Sequence, residues 1–313
     1  MNKRSLAAGS AVLLAPLLFT SCSGGQATPQ ERPDSALQRK LGALVEGFKG
    51  DVGIYVRHLP TGRTASIHAD ELFPTASMIK VPIMCALFDK IEKGELAYDQ
   101  TMTYRDSLKY DDGITGSFRD STKIPLTQLV MLMISVSDNT AALWCQQLAG
   151  TGTAINEWLE KNGFHQTRVN SRTPGRKADW EAYGWGQSAP REMAELMARI
   201  REGQAVGPDA SEEMYRILTK PYWDGEAVSQ VPPSVQVATK NGAVDASKSE
   251  VVLVNALSGD YVFCIMTKNQ QDQRWEHDNE GYVLIRKVSR LLWQYFEPDS
   301  KWELRPGMEK WMK

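Results

Sequence analysis

The sequence predicts an α/β (α+β) protein with two lobes, a five-stranded antiparallel sheet and a separate lobe of helices. Strand-like runs occur only near the ends of the chain, two of them before residue 70 and three after residue 233. The region between them is largely helical in its periodicity, and each end of the chain adds one amphipathic helix. One sheet built from both chain ends and flanked by the terminal helices explains this order, with the central helices forming the second lobe.

The first residues are typical of an export signal. Lys3 and Arg4 precede an apolar stretch from Leu6 to Phe19 that is too short to span a membrane. A leucine lies four residues before Cys22, whereas a bacterial lipoprotein signal places it three residues before. We expect residues 1–21 to be a signal peptide of the lipoprotein type, with Cys22 lipidated and the protein periplasmic and membrane-anchored. A plain secretory signal cut nearby is the alternative.

The remaining chain divides into three parts. Residues 22–33 are rich in Gly, Ser, Gln and Pro and predict a flexible tether. Residues 34–298 contain all the predicted elements and form one catalytic domain, and residues 299–313 form a C-terminal tail. We expect a monomer.

The strands are predicted from short runs rich in β-branched and aromatic residues between turn signals. They are Gly53–Leu59, Arg63–His68, Ser234–Thr239, Glu250–Leu257 and Tyr261–Thr267.

The helices are predicted from apolar residues spaced three and four apart. They are Asp34–Phe48, Val81–Glu92, Leu126–Val136, Thr140–Leu148, Ala154–Lys161, Pro190–Ile200, Ser211–Leu218 and Gly281–Phe296. Between two of them, residues 169–188 form a long stretch without clear periodicity, and such a loop inside a compact domain is usually functional.

Composition excludes several classes of function. The formal net charge of −2 gives no electrostatic basis for nucleic-acid binding. No phosphate-binding loop or metal-binding motif is present in the sequence, so we expect neither a metal nor an organic cofactor. Cys85, Cys145 and Cys264 lie in apolar runs and are expected to be buried thiols, although a disulfide between two of them stays open.

Ser77 and Lys80 are the first candidate catalytic pair. A spacing of three residues places both side chains on one face of a helix. A serine hydroxyl is a weak nucleophile unless a base takes its proton, and a lysine amine with a lowered pKa can act as that base. Alone, the pattern arises by chance, and a surface Ser and Lys at a helix start explain it equally well.

Two further motifs follow in the chain. Ser137-Asp138-Asn139 lies at a helix junction, where the hydroxyl can relay a proton and the amide can hold a substrate carbonyl. A helix N-cap is the alternative interpretation. Lys240-Asn241-Gly242 follows a predicted strand and offers a cation for a substrate carboxylate, beside a glycine that allows a close backbone approach. The same tripeptide at residues 161–163 shows that this motif is weak without its strand.

Together the three motifs resemble those of the penicillin-recognising serine hydrolases, most closely the class A β-lactamases. The similarity extends over about residues 37–296. It implies a β-lactamase/transpeptidase-like fold, with Ser77 as the acylated nucleophile and Lys80 as its base or proton relay. Ser137 would protonate the leaving nitrogen, and Asn139 would bind the side-chain amide of the substrate.

The resemblance also assigns roles on the third motif. Lys240 would hold the substrate carboxylate, beside Asn241 and Gly242, and the backbone N–H groups of Ser77 and Ala243 would form the oxyanion hole. Asn241 stands where the family usually has Thr or Ser, so an amide replaces a hydroxyl donor.

The long loop departs from the family. Thr173 falls where class A enzymes carry the glutamate that activates the deacylating water, and a threonine cannot act as a base near neutral pH. Ser171 and Gly186 fall where the family usually has the arginine and aspartate that brace the loop. Glu181 is the candidate replacement for the base, and the alternative is that it is a solvated loop carboxylate. Lys248 is the candidate for an additional carboxylate-binding cation, and the alternative is that it is an exposed turn lysine.

The sequence thus predicts a serine hydrolase that acts on β-lactams, with its deacylating group unassigned. A D-alanyl-D-alanine peptidase or cell-wall amidase, acting on a peptidoglycan peptide, is the enzymatic alternative. If the chain is a binding protein rather than an enzyme, the alternative is a penicillin-binding sensor that stays acylated.

Overall fold

The computed structural model describes residues 29–308. The predicted signal peptide, Cys22 and the last five residues of the predicted tail lie outside these residues. The strands are β1 (Arg32–Pro33), β2 (Asp51–His58), β3 (Arg63–Ile67), β4 (Phe73–Pro74), β5 (Thr101–Thr103), β6 (Lys123–Pro125), β7 (Arg168–Val169), β8 (Gly186–Ser188), β9 (Val237–Val244), β10 (Ser247–Val254) and β11 (Tyr261–Lys268). The α-helices are α1 (Ser35–Val45), α2 (Lys80–Glu92), α3 (Leu126–Ser135), α4 (Asn139–Leu148), α5 (Thr151–Lys161), α6 (Lys177–Tyr183), α7 (Pro190–Arg201), α8 (Pro208–Leu218) and α9 (Glu280–Phe296).

The main sheet combines both ends of the chain, and the predicted fold class is confirmed. Its strand order is β1-β3-β2-β11-β10-β9, and the five long strands are antiparallel to their neighbours. A sixth strand, β1, pairs in parallel with β3 through Arg32 and Pro33. Two residues are too few to show a period, so the sequence assigned them to the tether. The end of the predicted tether therefore belongs to the sheet.

Each face of the sheet covers its own core. On one face the terminal helices α1 and α9 pack through apolar residues such as Leu41 and Leu292. The other face packs against the helical lobe, which includes α2, α3, α4, α7 and α8. Cys85, Cys145 and Cys264 are buried and free, so no disulfide joins them. None of the helices within residues 29–308 has the length and apolar character needed to cross a membrane.

The strand β9 runs further than predicted. The sequence ended it at Thr239, whereas the structure continues it to Val244. The extension follows from a tight hairpin, because Ser247 of β10 pairs with Val244 and the ladder stays unbroken back to Val237. The Lys240-Asn241-Gly242 motif therefore lies inside a strand of the sheet rather than after it.

The long loop contains more regular structure than its sequence indicates. The short strands β7 and β8 pair with each other, β8 also pairs with β4, and α6 lies between β7 and β8. These elements have two, three and seven residues, too few for a hydrophobic period to be recognised.

Candidate active site

Ser77 lies on a short 3₁₀ turn, Ala76–Ile79, which connects β4 to α2. The residue before it, Ala76, has a positive φ of 44°, a conformation that costs energy for a residue with a side chain. The turn packs against β9, where Gly242 approaches its backbone closely. Ser77 is therefore held at the boundary between the sheet and the helical lobe.

Lys80 connects Ser77 to the second motif. It is the first residue of α2 and is fully buried. Its Nζ lies 3.0 Å from Ser77 Oγ, 3.0 Å from Ser137 Oγ, 2.6 Å from the Ser137 carbonyl oxygen and 2.8 Å from Asn139 Oδ1. One amine thus contacts both hydroxyls that the predicted chemistry requires.

The surroundings of Lys80 favour its neutral form. Burial, with the charge of Lys240 as a second cause, holds the pKa of the Lys80 amine well below its usual value, while Asp138 and Asp111 oppose this shift. A neutral amine has a lone pair that can accept the proton of Ser77. The geometry and the charge therefore both suit a general base.

The middle motif combines structural and chemical roles. Ser137 has a positive φ of 62° at the junction between α3 and α4. Asp138 caps α4 by accepting from the Ala141 N–H at 2.7 Å, and it also accepts from the Thr115 N–H at 2.9 Å. Asn139 donates to Asp111 Oδ2 at 2.8 Å, which fixes its amide. The N-cap interpretation thus holds for Asp138, while its two neighbours face Lys80.

On β9, Lys240 is buried beneath the edge of the site. Its Nζ donates to the carbonyl oxygen and the side-chain oxygen of Asn241, at 2.9 and 3.0 Å. Burial lowers the pKa of Lys240 to about 7, although Glu250 opposes the shift. Lys240 carries its charge below about pH 7, and Asn241, which accepts both of its hydrogen bonds, is the residue of this pair that lines the cavity described below.

Gly242 brings the strand against the nucleophile. A Cβ at this position would lie 2.3 Å from the Thr75 carbonyl oxygen and 2.9 Å from both the Ser77 and Met78 nitrogens. Only glycine allows this approach, because the three atoms belong to the backbone and cannot move aside independently. The contact places β9 next to the N–H of Ser77, one of the two donors predicted for the oxyanion hole.

A cavity of about 490 Å³ opens over Ser77. Part of its lining consists of predicted residues: Ser77, Ser137, Asn241, Gly242 and Ala243. The other part was not identified from the sequence: Trp223, Glu226, Trp275, His277 and Tyr282. These five residues belong to none of the three motifs. Trp223, which follows Tyr222, and Trp275 lie in loops and give only a weak signal in the sequence.

The two loop candidates do not reach this cavity. Thr173 donates to the Ser171 carbonyl oxygen at 3.0 Å, packs on Gly152 and lines a different cavity of about 540 Å³. Glu181 is exposed on α6, with its carboxylate 3.8 Å from Lys177 Nζ. The structure therefore agrees with the alternative interpretation of Glu181, a solvated loop carboxylate.

An aromatic ring occupies the loop side of Lys80 instead. The centroid of the Trp185 ring lies 5.9 Å from Lys80 Nζ, and the ring meets Tyr110 edge-on at 5.1 Å. The backbone carbonyl of Trp185 accepts from the N–H groups of Asn170 and Ser171, at 2.8 and 3.0 Å. The loop thus presents an apolar surface to the base.

Other contacts brace the loop in place of the usual ion pair. Ser171 exchanges two hydrogen bonds with the Gln146 side chain, at 2.7 and 2.9 Å. Arg176 donates to Asn170 Oδ1 at 2.7 Å and to Gln187 Oε1 at 2.8 Å. Gly186 packs under Ile79, where a Cβ would lie 2.5 Å from that side chain. Neutral amides and one arginine therefore hold both ends of the loop.

Lys248 is neither an exposed turn residue nor part of the cavity lining. It is fully buried, and its Nζ donates to the Val244 carbonyl oxygen at 2.8 Å. The ammonium lies 4.0 Å from the centroid of the Trp275 ring and 5.3 Å from that of Tyr282. These contacts keep its charge behind the aromatic part of the cavity wall.

Comparisons with known proteins agree on one family. Residues 36–296 match a family described as the beta-lactamase enzyme family. The chain is 26% identical to a beta-lactamase of Streptomyces fradiae over 89% of this chain and 92% of that protein. It is 21% identical to beta-lactamase VEB-1 of Pseudomonas aeruginosa over 83% of this chain and 90% of that protein.

Solved structures show the same architecture. The structure of PBP-A superposes with a TM-score of 0.77 and 26% sequence identity, covering 87% of this chain and all of that one. A beta-lactamase from Sphaerobacter thermophilus superposes with a TM-score of 0.74 at 24% identity, covering 84% of this chain and 98% of that one.

Proposed function

The chain belongs to the beta-lactamase enzyme family, and from that premise we propose that it hydrolyses β-lactams through an ester on Ser77. The observation that carries this proposal is the position of Lys80, whose Nζ lies 3.0 Å from both Ser77 Oγ and Ser137 Oγ. A single buried amine can thus serve the nucleophile and the proton donor in one reaction.

Acylation follows from these contacts. Neutral Lys80 takes the proton of Ser77 as Oγ attacks the lactam carbonyl carbon, and the N–H groups of Ser77 and Ala243 stabilise the oxyanion. The C–N bond of the ring then breaks, and Ser137 gives its proton to the departing nitrogen. Lys80 returns the proton to Ser137, so the amine is neutral again when the ester has formed.

Deacylation needs a base for the attacking water. Of the predicted loop residues, neither Thr173 nor Glu181 lines the cavity of Ser77. The neutral amine of Lys80 is within hydrogen-bond distance of Ser77 Oγ, so it is the base we assign to this step. Because neither loop residue supplies a dedicated base for the attacking water, we expect deacylation to be slower than acylation. For comparison, a variant of PBP-A has been solved as an acyl-enzyme complex with penicillin G.

The test is to mix the purified protein with a chromogenic cephalosporin and to follow colour and intact mass together. Continued colour release after one equivalent supports the hydrolase. One equivalent of colour with a lasting mass adduct indicates a penicillin-binding protein or D-alanyl-D-alanine peptidase instead. Ser77→Ala should abolish the adduct, whereas Ser107→Ala, an exposed serine outside the cavity, should leave it unchanged. An adduct on the Ser77→Ala protein would contradict the site.

We further propose that the protein is exported to the periplasm and anchored through a lipidated Cys22. The basic residues, apolar stretch and cysteine of the N-terminus support this proposal. Cys22→Ser should move the protein from the membrane to the soluble fraction, with Ser23→Ala as the matched control. Retention of the Cys22→Ser protein in the membrane fraction would contradict it.

A further inference from the structure

One part of the cavity over Ser77 consists of three aromatic rings and a carboxylate. We call Trp223, Glu226, Trp275 and Tyr282 the acidic wall. Trp223 Nε1 donates to the carbonyl oxygen of Val136, the residue before Ser137, at 3.0 Å. The acidic wall is therefore attached directly to the catalytic motif.

The acidic wall also adjoins the motif on β9. The residue after Glu226, Ala227, donates its N–H to Glu250 Oε2 at 3.0 Å, and Glu250 pairs with Asn241 across the sheet. Trp275 Nε1 donates to Asp245 Oδ1 at 2.9 Å, at the turn that follows β9. The acidic wall thus lies beside the predicted carboxylate-binding residues, on the side where the lactam nitrogen departs.

Among residues 29–308, no lysine or arginine forms an ion pair within 4 Å of the Glu226 carboxylate. Burial raises the pKa of Glu226, Arg286 opposes this from a longer distance, and Asp224 adds to it. A partly buried carboxylate of this kind is stabilised when a cation approaches.

The basic residues near the acidic wall do not enter the cavity. Within residues 29–308, no lysine or arginine contributes to the cavity lining. Lys248 is held by the Val244 and Asp245 carbonyl oxygens, and Lys240 by Asn241. Lys248 also shows that the rings of Trp275 and Tyr282 accept a cation, since its ammonium lies 4.0 Å from the first centroid.

We propose that the acidic wall is a subsite for a positively charged substituent of the substrate. The substituent lies next to the carboxylate of the substrate, on the side where the lactam nitrogen departs. The inference rests on the proposed function of the cavity. It adds that the cavity favours substrates with a positively charged substituent. A cation gains from the carboxylate and from the aromatic faces, a neutral group gains only packing, and an anion is repelled by Glu226.

The test compares two cephalosporins with the same thienylacetamido side chain. One carries a cationic pyridiniomethyl group at C3 and the other a neutral acetoxymethyl group. We expect the wild-type protein to acylate faster with the cationic compound at low concentration, by about tenfold. Glu226→Gln should reduce this ratio to about twofold or less, mainly by slowing the reaction with the cationic compound.

A matched variant controls for the loss of a carboxylate. Glu202, also half-buried with a pKa raised by burial, lies outside the cavity, so Glu202→Gln should leave the ratio unchanged. An unchanged ratio in Glu226→Gln, or an equal loss with both compounds, would overturn the inference while leaving the proposed function intact. Absence of a Ser77 adduct with either compound in the wild-type protein would instead contradict the proposed function.

Discussion

Two buried lysines set the chemistry of this site at the scale of single residues. Lys80 and Lys240 belong to different motifs, and the charge of Lys240 is one cause of the lowered pKa of Lys80. The roles require opposite charge states, because a base must be neutral and a carboxylate anchor must be charged. The protein must therefore work where Lys80 has lost its proton and Lys240 has kept its own.

The acylation rate should consequently have two pH limbs. It should rise with pH as Lys80 loses its proton, and fall above about pH 7 as Lys240 loses its charge. Lys240→Arg, which keeps its charge, should remove the alkaline fall. The measurement is the initial burst of adduct formation, followed by mass between pH 5 and 9. An alkaline fall that persists in a folded Lys240→Arg protein would contradict the assignment.

Removal of the base gives a separate test. Lys80→Ala should lower the rate of adduct formation by about 10²–10⁴-fold, the usual contribution of a general base. Circular dichroism should show that the variant is folded. Lys161→Ala, which changes the lysine of the second Lys-Asn-Gly tripeptide at the end of α5, should have no effect. A Lys80→Ala protein that acylates at the wild-type rate would place the base elsewhere.

At the scale of elements, the site depends on how closely β9 approaches the Ser77 turn. Gly242→Ala would place a methyl group 2.3 Å from the Thr75 carbonyl oxygen and 2.9 Å from the Ser77 nitrogen. The strand must move, so the oxyanion-hole donor is displaced and acylation should fall by about 10²–10³-fold. Gly42→Ala on α1, where no heavy atom lies within 4 Å, is the matched control and should be tolerated. An active Gly242→Ala protein would mean that the contact is dispensable.

The loop gives a second prediction at this scale. Thr173→Glu should leave the lifetime of the Ser77 adduct unchanged, because Thr173 lines the loop cavity and the Trp185 ring lies beside Lys80. The lifetime is measured by mass after removal of excess β-lactam. A shorter lifetime would show that the new carboxylate reaches the ester and that the loop moves during the reaction.

At the scale of the whole molecule, the features that could be predicted from the sequence are those marked by a residue pattern or a short motif. The five long strands are recognisable as runs of β-branched and aromatic residues, and the spacing of Ser77 and Lys80 places them together at the start of α2. That Ser137 and Asn139 meet the same amine depends on how the α3–α4 junction packs against α2. The acidic wall could not be predicted, because Trp223 and Trp275 reach the cavity from loops separated by three strands of the sheet. The position of Glu181 depends on α6, a helix too short to be recognised.

The buried charges of the site should also shape the stability of the whole protein. Burial, with Glu226 as a second cause, raises the pKa of Glu250 to about 7, so between about pH 4.5 and 7 the folded state holds a proton that the unfolded state has lost. The free energy of unfolding should therefore decrease with pH in that interval, by up to about 1.4 kcal/mol per pH unit from this group. Lys240 acts in the opposite direction at higher pH. Between about 7 and 10.5 the unfolded chain binds the proton that the folded state has lost, so its contribution increases with pH.

Glu250→Gln should remove the contribution of Glu250 to the pH dependence of the free energy of unfolding. An amide keeps the size of the side chain. Its oxygen can accept from the Ala227 N–H, which lies 3.0 Å from Glu250 Oε2. Its NH2 group can donate to the Thr239 hydroxyl, which then donates to the Val251 carbonyl oxygen. The decrease between pH 4.5 and 7 should become shallower, and the variant should be more stable than the wild type at pH 8, as measured by urea unfolding. Glu276→Gln, an exposed carboxyl of the same type, should change neither slope nor stability. A Glu250→Gln protein with the wild-type slope would mean that Glu250 is ionised in the folded protein. The Glu250 carboxylate would then balance the charge of Lys240 within the sheet.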